Sequence, residues 1–195
     1  MTQTMIRPYR VAVFCSASTN ISPYFFVEAG VFAKGLAMRK WELVYGGAAN
    51  GLMGHFANET LKNGGNVRGA IPKKLMDETE VPHRGLTEMV VTENLFDRKS
   101  WMMDNADAFA IFPGGLGTLD EALEVLTWKS LDYHQKPIVF VNVDGFWQHQ
   151  IKVFQHFALE GMIRDDRGLS MYDVRDTAED ALAVFDAYHV GGKAN

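Results

Sequence analysis

The run Pro113-Gly114-Gly115-Leu116-Gly117-Thr118-Leu119-Asp120-Glu121 joins a cluster of glycines to a threonine and two adjacent carboxylates. It lies between an apolar segment, 108–112, and a helical pattern, 118–130, so it is a turn from a buried strand into a helix. Glycines there let the main chain take positive φ and bring its N–H groups up to a ligand, and the free N–H groups and positive dipole end of the helix attract an anion. The chemistry that suits this turn is phosphate binding; the plain alternative is a tight connection and nothing more. Two familiar phosphate cradles do not fit. The G-x-G-x-x-G fingerprint finds Asp120 where its third glycine belongs, and the Gly-Lys-Ser/Thr of a P-loop is absent both here and around Gly46-Gly47-Ala48-Ala49-Asn50-Gly51. NAD and ATP are therefore disfavoured.

Glu121 has two readings. Thr118 and Glu121 have the spacing of a capping box, in which the glutamate reaches back to the N–H of the cap residue. Alternatively its carboxylate, which would repel a phosphate directly, serves ribose hydroxyls or a water. Asp120 reads as a solvated charge at the helix start. Upstream, Asp97-Arg98-Lys99 opens another helix, and its guanidinium has the geometry to hold a phosphate or a base edge by two parallel hydrogen bonds. Two cations at a helix start run against the dipole and call for an anion; the alternative is a solvated basic pair offset by Asp97 and Glu93. The second glycine turn, from Gly46 to Gly54, either approaches a ligand or permits close packing. Cys15, in an apolar run with no base spaced beside it, reads as a small buried hydrophobe. The histidines are scattered, and although His149 and His156 share a helix face, no cluster resembles a metal site, so no metal is predicted.

These residues need a frame. Apolar segments at 10–15, 41–45, 66–70, 87–92, 108–112 and 137–143 read as strands, and the stretches 23–39, 50–62, 95–105, 118–130, 146–160 and 177–188 carry helical spacing. Strands that are continuously apolar and each followed by a helix imply a parallel sheet covered on both faces. The prediction is α/β: a single Rossmann-like, doubly wound domain over 1–195, with the loops 15–20, 46–51, 69–75, 92–98 and 113–118 converging on one crevice beyond the carboxyl ends of the strands.

Composition narrows the classes. With 47% hydrophobic and 22% charged residues the chain can bury a core, and a formal charge of −5 argues against a nucleic-acid backbone as partner. A single cysteine forms no internal disulfide and no cysteine cluster for zinc. The first ten residues lack the apolar core of a signal peptide, and no run approaches the roughly 20 apolar residues of a membrane span. A cytoplasmic, soluble protein is expected.

The sequence resembles the LOG (Lonely Guy) family of cytokinin riboside 5′-monophosphate phosphoribohydrolases. The likeness is carried by Pro113 to Glu121 and Arg98-Lys99, together with Val44-Tyr45-Gly46-Gly47, Gly51-Leu-Met-Gly54, Gly69-Ala-Ile-Pro72, Glu124-Val-Leu-Thr-Trp128, Lys136-Pro-Ile138 and Asn142-Val-Asp-Gly-Phe146, and spans Val11 to about Ile163. It implies hydrolysis of the N-glycosidic bond of an adenosine-type 5′-monophosphate, freeing base and ribose 5-phosphate, in a homodimer without metal or organic cofactor. It carries catalytic roles onto Arg98 and Glu121 and ligand contacts onto Lys99, Gly114, Gly115, Gly117, Thr118, Thr127 and Glu80. Gly46, Gly47 and Ser18, in loops expected at the same crevice, complete the candidate set. Members of this family are often labelled lysine decarboxylases, yet no lysine here is placed as a Schiff-base partner beside a recognisable pyridoxal phosphate site. The sequence departs from the family pattern at Cys15-Ser16-Ala17-Ser18, at Ala48 and at Phe96, which bears on base preference more than on the reaction. The alternatives are a general nucleoside-monophosphate nucleosidase and a non-catalytic carrier of a phosphorylated ligand such as the molybdenum cofactor, whose carriers share the glycine motif.

Overall fold

Runs such as Val-Ala-Val-Phe and Ile-Val-Phe-Val leave no polar face to turn to water, so they are stable only between two layers of helices. That is their setting in the computed structural model, which describes residues 7–78, 80–163 and 168–191. In chain order the elements are β1 (Arg10–Phe14), α1 (Pro23–Met38), β2 (Glu42–Tyr45), α2 (Gly51–Lys62), β3 (Asn66–Pro72), α3 (Lys73–Glu78), β4 (Glu88–Thr92), α4 (Leu95–Asp104), β5 (Ala108–Ile111), α5 (Leu116–Ser130), β6 (Ile138–Val141), α6 (Gln148–Leu159), β7 (Asp173–Arg175) and α7 (Ala178–Gly191). The strands form one parallel sheet in the order β4-β3-β2-β1-β5-β6-β7.

Alternation along β1 divides the core. Val11 and Val13 face Phe32 and Leu36 of α1, Phe56 of α2 and Phe185 of α7. Ala12 and Phe14 face the other way, in a cluster with Met102 and Met103 of α4, Val125 of α5 and Phe154 of α6. The doubly wound, Rossmann-like expectation is met. No helix among the described residues is long and apolar enough to cross a membrane.

The order of strands reverses between β1 and β5. From β1 the chain winds outward through β2, β3 and β4, and from β5 it winds the other way, so the loops after β1 and β5 part and leave a crevice at the carboxyl end of the sheet. Two main-chain hydrogen bonds brace its floor: Ser16 N–H donates to Pro113 C=O at 3.1 Å, and Met53 N–H donates to Ser16 C=O at 3.3 Å.

Three elements differ from the reading of the sequence. β7 was not anticipated, because a three-residue edge strand of Asp-Val-Arg has neither the length nor the apolar run that marks a buried one. α3 lies inside the stretch 73–86 for which no element was predicted, and none of its residues is buried. The helix expected over 146–160 starts at Gln148, after a single 3-10 turn at Val143–Gly145 in which Asp144 takes φ 52°.

Candidate active site

α5 begins earlier than its sequence suggests, and this decides against a capping role for Glu121. Gly115 is the N-cap, with no side-chain cap and no acidic residue in the first turn, and Leu119 N–H donates to Gly115 C=O at 3.0 Å. The amides of Leu116, Gly117 and Thr118 precede the helix's own hydrogen-bond ladder and supply the positive end of its dipole. Thr118 is therefore the third helical residue and not the cap. Glu121 lies a turn further on, outside capping-box geometry, so that reading is replaced. A Cβ on Gly114 would collide with the Thr118 side chain, whereas Gly115 and Gly117 have nothing within 4 Å of such a position and leave the approach to the turn open.

α4 supplies the opposite wall. Asn94 caps it, accepting from Asp97 N–H at 2.9 Å, and one turn later Arg98 and Lys99 are buried, at 7% and 9% exposure. They are not a solvated pair. Arg98 Nη2 donates to Glu121 Oε1 at 3.3 Å, while Arg98 Nε is buried with no hydrogen-bond partner. Lys99 Nζ lies 3.0 Å from Asp120 Oδ2 and 2.7 Å from Glu124 Oε2, so Asp120 is engaged by a cation although its side chain is largely exposed. A Cβ on Gly46 would collide with the Arg98 guanidinium and with Met53 Cε; this glycine is where the site arginine passes. Gly47 takes φ +81°, and a Cβ there would lie 3.2–3.3 Å from atoms of Ile71, Met89 and Ala70. The second glycine turn thus serves close packing.

Between these walls lies a cleft of about 370 Å³, lined by Cys15, Ser16, Ala17, Met53, Leu75, Glu80, Leu95, Arg98, Lys99, Gly115, Gly117, Thr118, Asp120 and Glu121. Arg98, Glu121, Lys99, Glu80, Gly115, Gly117 and Thr118 meet there, with Gly46 behind Arg98 and Gly114 behind Thr118. Ser18 and Thr127 do not. Ser18 is exposed, its N–H donating to Ser16 Oγ at 3.0 Å, and Thr127 lies in a separate apolar groove with Leu123, Phe154 and Phe157.

Burial dominates the electrostatics. It pushes the Glu121 carboxyl up to about 7; Arg98 and Lys99 pull it down, and Asp120 and Glu80 add to the rise. A carboxyl balanced near neutrality beside a fixed guanidinium is suited to proton and charge chemistry. Burial likewise raises the Cys15 thiol well above its usual range, with Glu121 adding to the rise, which removes its nucleophilic character. Glu80 Oε2 is buried without a hydrogen-bond partner and lines the cleft, and Tyr45 Oη, also buried, lacks one too.

Glu124 was missed by the sequence reading. Gly117, Asp120, Glu121 and Glu124 fall at helical spacing i, i+3, i+4 and i+7, so a polar stripe on α5 was there to be found. Gly46 was a candidate as a ligand contact, but nothing in the sequence signalled that it makes way for Arg98, since a glycine that clears a side chain distant in sequence looks like any turn glycine.

A family model described as "Possible lysine decarboxylase" matches residues 53–185. The chain is 40% identical over 156 residues to the cytokinin riboside 5′-monophosphate phosphoribohydrolase of Rhodococcoides fascians, covering 80% of this chain and 79% of that protein. It is 37% identical over 163 residues to the cytokinin riboside 5′-monophosphate phosphoribohydrolase LOG7 of Arabidopsis thaliana, covering 84% and 75% respectively. Among solved structures, the molybdenum cofactor binding protein of Rippkaea orientalis is similar with TM-score 0.71 at 19% identity, over 94% of this chain and 98% of that one. The Moco carrier protein of Chlamydomonas reinhardtii is similar with TM-score 0.71 at 18% identity, over 95% and 99%. At such identities the structural likeness is one of fold alone.

Proposed function

The chain belongs to the family described as "Possible lysine decarboxylase", with cytokinin riboside 5′-monophosphate phosphoribohydrolases as its relatives, and we propose that it hydrolyses the N-glycosidic bond of adenosine-type 5′-monophosphates. The observation that carries this is the pairing of Glu121 with Arg98 inside a cleft that also opens on the bare N-terminus of α5.

The 5′-phosphate sits on the amides of Gly115 to Thr118 and the Thr118 hydroxyl, where dipole and free N–H groups favour an anion. A nucleotide anchored there brings its ribose towards Glu121. As the bond from C1′ to the base lengthens, positive charge grows on the sugar, and the Glu121 carboxylate, itself buried, meets it at short range. The carboxylate also orients the attacking water. Arg98 holds the base edge and favours its departure with the bonding electron pair. Water oxygen ends on C1′ and the second proton on the base, giving free base and ribose 5-phosphate. The lysine decarboxylase description finds little support in the cleft, whose one lysine among the described lining residues, Lys99, is held by two carboxylates and poorly placed for a Schiff base.

A panel of nucleoside monophosphates, including AMP and an N6-isopentenyl derivative, tests the reading: free base and ribose 5-phosphate are expected from the adenine members. Release from pyrimidine members at equal rates would favour a general nucleosidase, and binding without cleavage would favour a carrier.

The working unit is a homodimer. An apolar groove of about 300 Å³ between α5 and α6 is rimmed by Leu123, Leu131, Phe157 and Met162, each of them exposed, and such a patch suits a second copy. Light scattering is expected to give twice the chain mass of 21.8 kDa, and Phe157→Glu, which puts a charge on that rim, to give monomer.

A further inference from the structure

Arg98 and Lys99 are neighbours on α4, and each is answered from α5. Arg98 Nη2 meets Glu121 Oε1 at 3.3 Å, a long contact that leaves Nε without a partner. The Lys99 contacts are shorter, 2.7 Å to Glu124 Oε2 and 3.0 Å to Asp120 Oδ2. Asp120 and Glu124 are one helical turn apart, so one ammonium is pinned between successive turns of the facing helix. The Phe96 ring lies 5.5 Å from Lys99 Nζ. Two carboxylates already flank this ammonium, Asp120 accepting a hydrogen bond and Glu124 forming an ion pair, and a phosphate brought up to it would face both of them.

We infer that Lys99 is a positioning residue: by fastening α4 to Asp120 and Glu124 of α5, it fixes the separation at which Arg98 and Glu121 face each other across the cleft, and it makes no phosphate contact. The inference deepens the hydrolase reading and rests on it for its kinetic consequence. A helix held at Lys99 cannot slide or turn without carrying Arg98 with it, and the loose Arg98 contact is not by itself a tie. Burial alone would lower the Lys99 ammonium; Glu124 and Asp120 together outweigh it and hold the group above its usual range, as a closed ion triad does.

The test uses the full chain with Lys99→Met, Glu124→Gln and Lys99→Arg. The first two are expected to lower kcat by about 30-fold, with KM and the Kd for inorganic phosphate within about twofold of wild type. Lys99→Arg, whose fork reaches both carboxylates, recovers most of the rate. Should Lys99→Met fail to fold, the near-isosteric Glu124→Gln carries the same reading. A lysine that contacts phosphate would instead raise KM and the phosphate Kd by about tenfold or more on loss of its charge, and Glu124→Gln, by removing a rival anion, would tighten phosphate binding. That result overturns the assignment, as does an unchanged kcat per folded molecule. A second readout does not depend on turnover. Glu121 is faced by Arg98 and Lys99 from α4, by Asp120 on α5, by Glu80 and by Cys15. Loss of the Glu124 anion lowers the Glu121 midpoint by electrostatics alone, whereas a slackened α4 withdraws Arg98 and raises it. In carbon-13 NMR titrations of Glu124→Gln a rise supports the clamp even if wild type releases no base, and a fall or no change overturns it.

Discussion

Glu121→Gln is expected to cut base release by at least about 10³-fold and, at the same time, to make the protein more stable at pH 8. Glutamine keeps the shape and an oxygen for Arg98 Nη2, but it brings no negative charge to the developing positive charge on the sugar. The gain in stability comes from the direction of the Glu121 shift. Burial raises its carboxyl from 4.5 to about 7 in the folded chain, against the pull of Arg98. Between those values the folded state binds more protons than the unfolded state, so stability falls as pH rises from about 4.5 to about 7, and above that the whole cost of the buried charge is present. The gap corresponds to about 3 kcal/mol at most, which for a chain of this size is several degrees of melting temperature. The variant and wild type should therefore melt apart at pH 8 and together near pH 4.5. The same ionisation makes wild-type kcat/KM climb through about pH 7, because the carboxylate is the form that works. A variant that retains more than about a tenth of the wild-type rate would remove Glu121 from the reaction.

Much of this was legible in the sequence, and the reason differs from element to element. The parallel sheet is written in strands such as Ile138–Val141, whose unbroken apolar character admits no other setting. The mouth of β5 was legible because Pro113 to Thr118 stands at a strand end, where such folds keep their ligands. Glu121 was ambiguous for a local reason: Thr118-x-x-Glu121 satisfies a capping rule, and only the start of α5 at Leu116 decides against it. That start depends on a cap residue, Gly115, with no side chain to announce it. The pairing of consecutive residues on α4 with Asp120, Glu121 and Glu124 on α5 was illegible, because it is set by how two helices cross above the sheet. Thr127 shows the opposite case, since a match of motif carries a ligand contact onto it while the turn of the helix sets it on another face, in the groove with Leu123 and Phe157.

Arg98→Met is expected to reduce base release by about 10²- to 10³-fold and to shift the residue that remains to higher pH. Two separate losses are combined in it. The guanidinium no longer orients the base, and Glu121, still buried, loses the strongest influence holding its carboxyl down, so its midpoint moves above about 7 and less of the carboxylate is present at neutral pH. Arg98→Lys separates them. An ammonium restores a positive charge near Glu121 but not the planar fork, so the pH midpoint should return towards wild type while the rate stays low. The protein should tolerate either change, because Arg98 already buries Nε without a partner and, among the described residues, its side chain makes a single hydrogen bond, the 3.3 Å contact with Glu121; melting temperatures check that directly. If Arg98→Lys recovered rate and midpoint together, Arg98 would be acting as a point charge alone, and the task of holding the base would have to pass to another group at the cleft, with Glu80, whose buried Oε2 lacks a hydrogen-bond partner, the first to test.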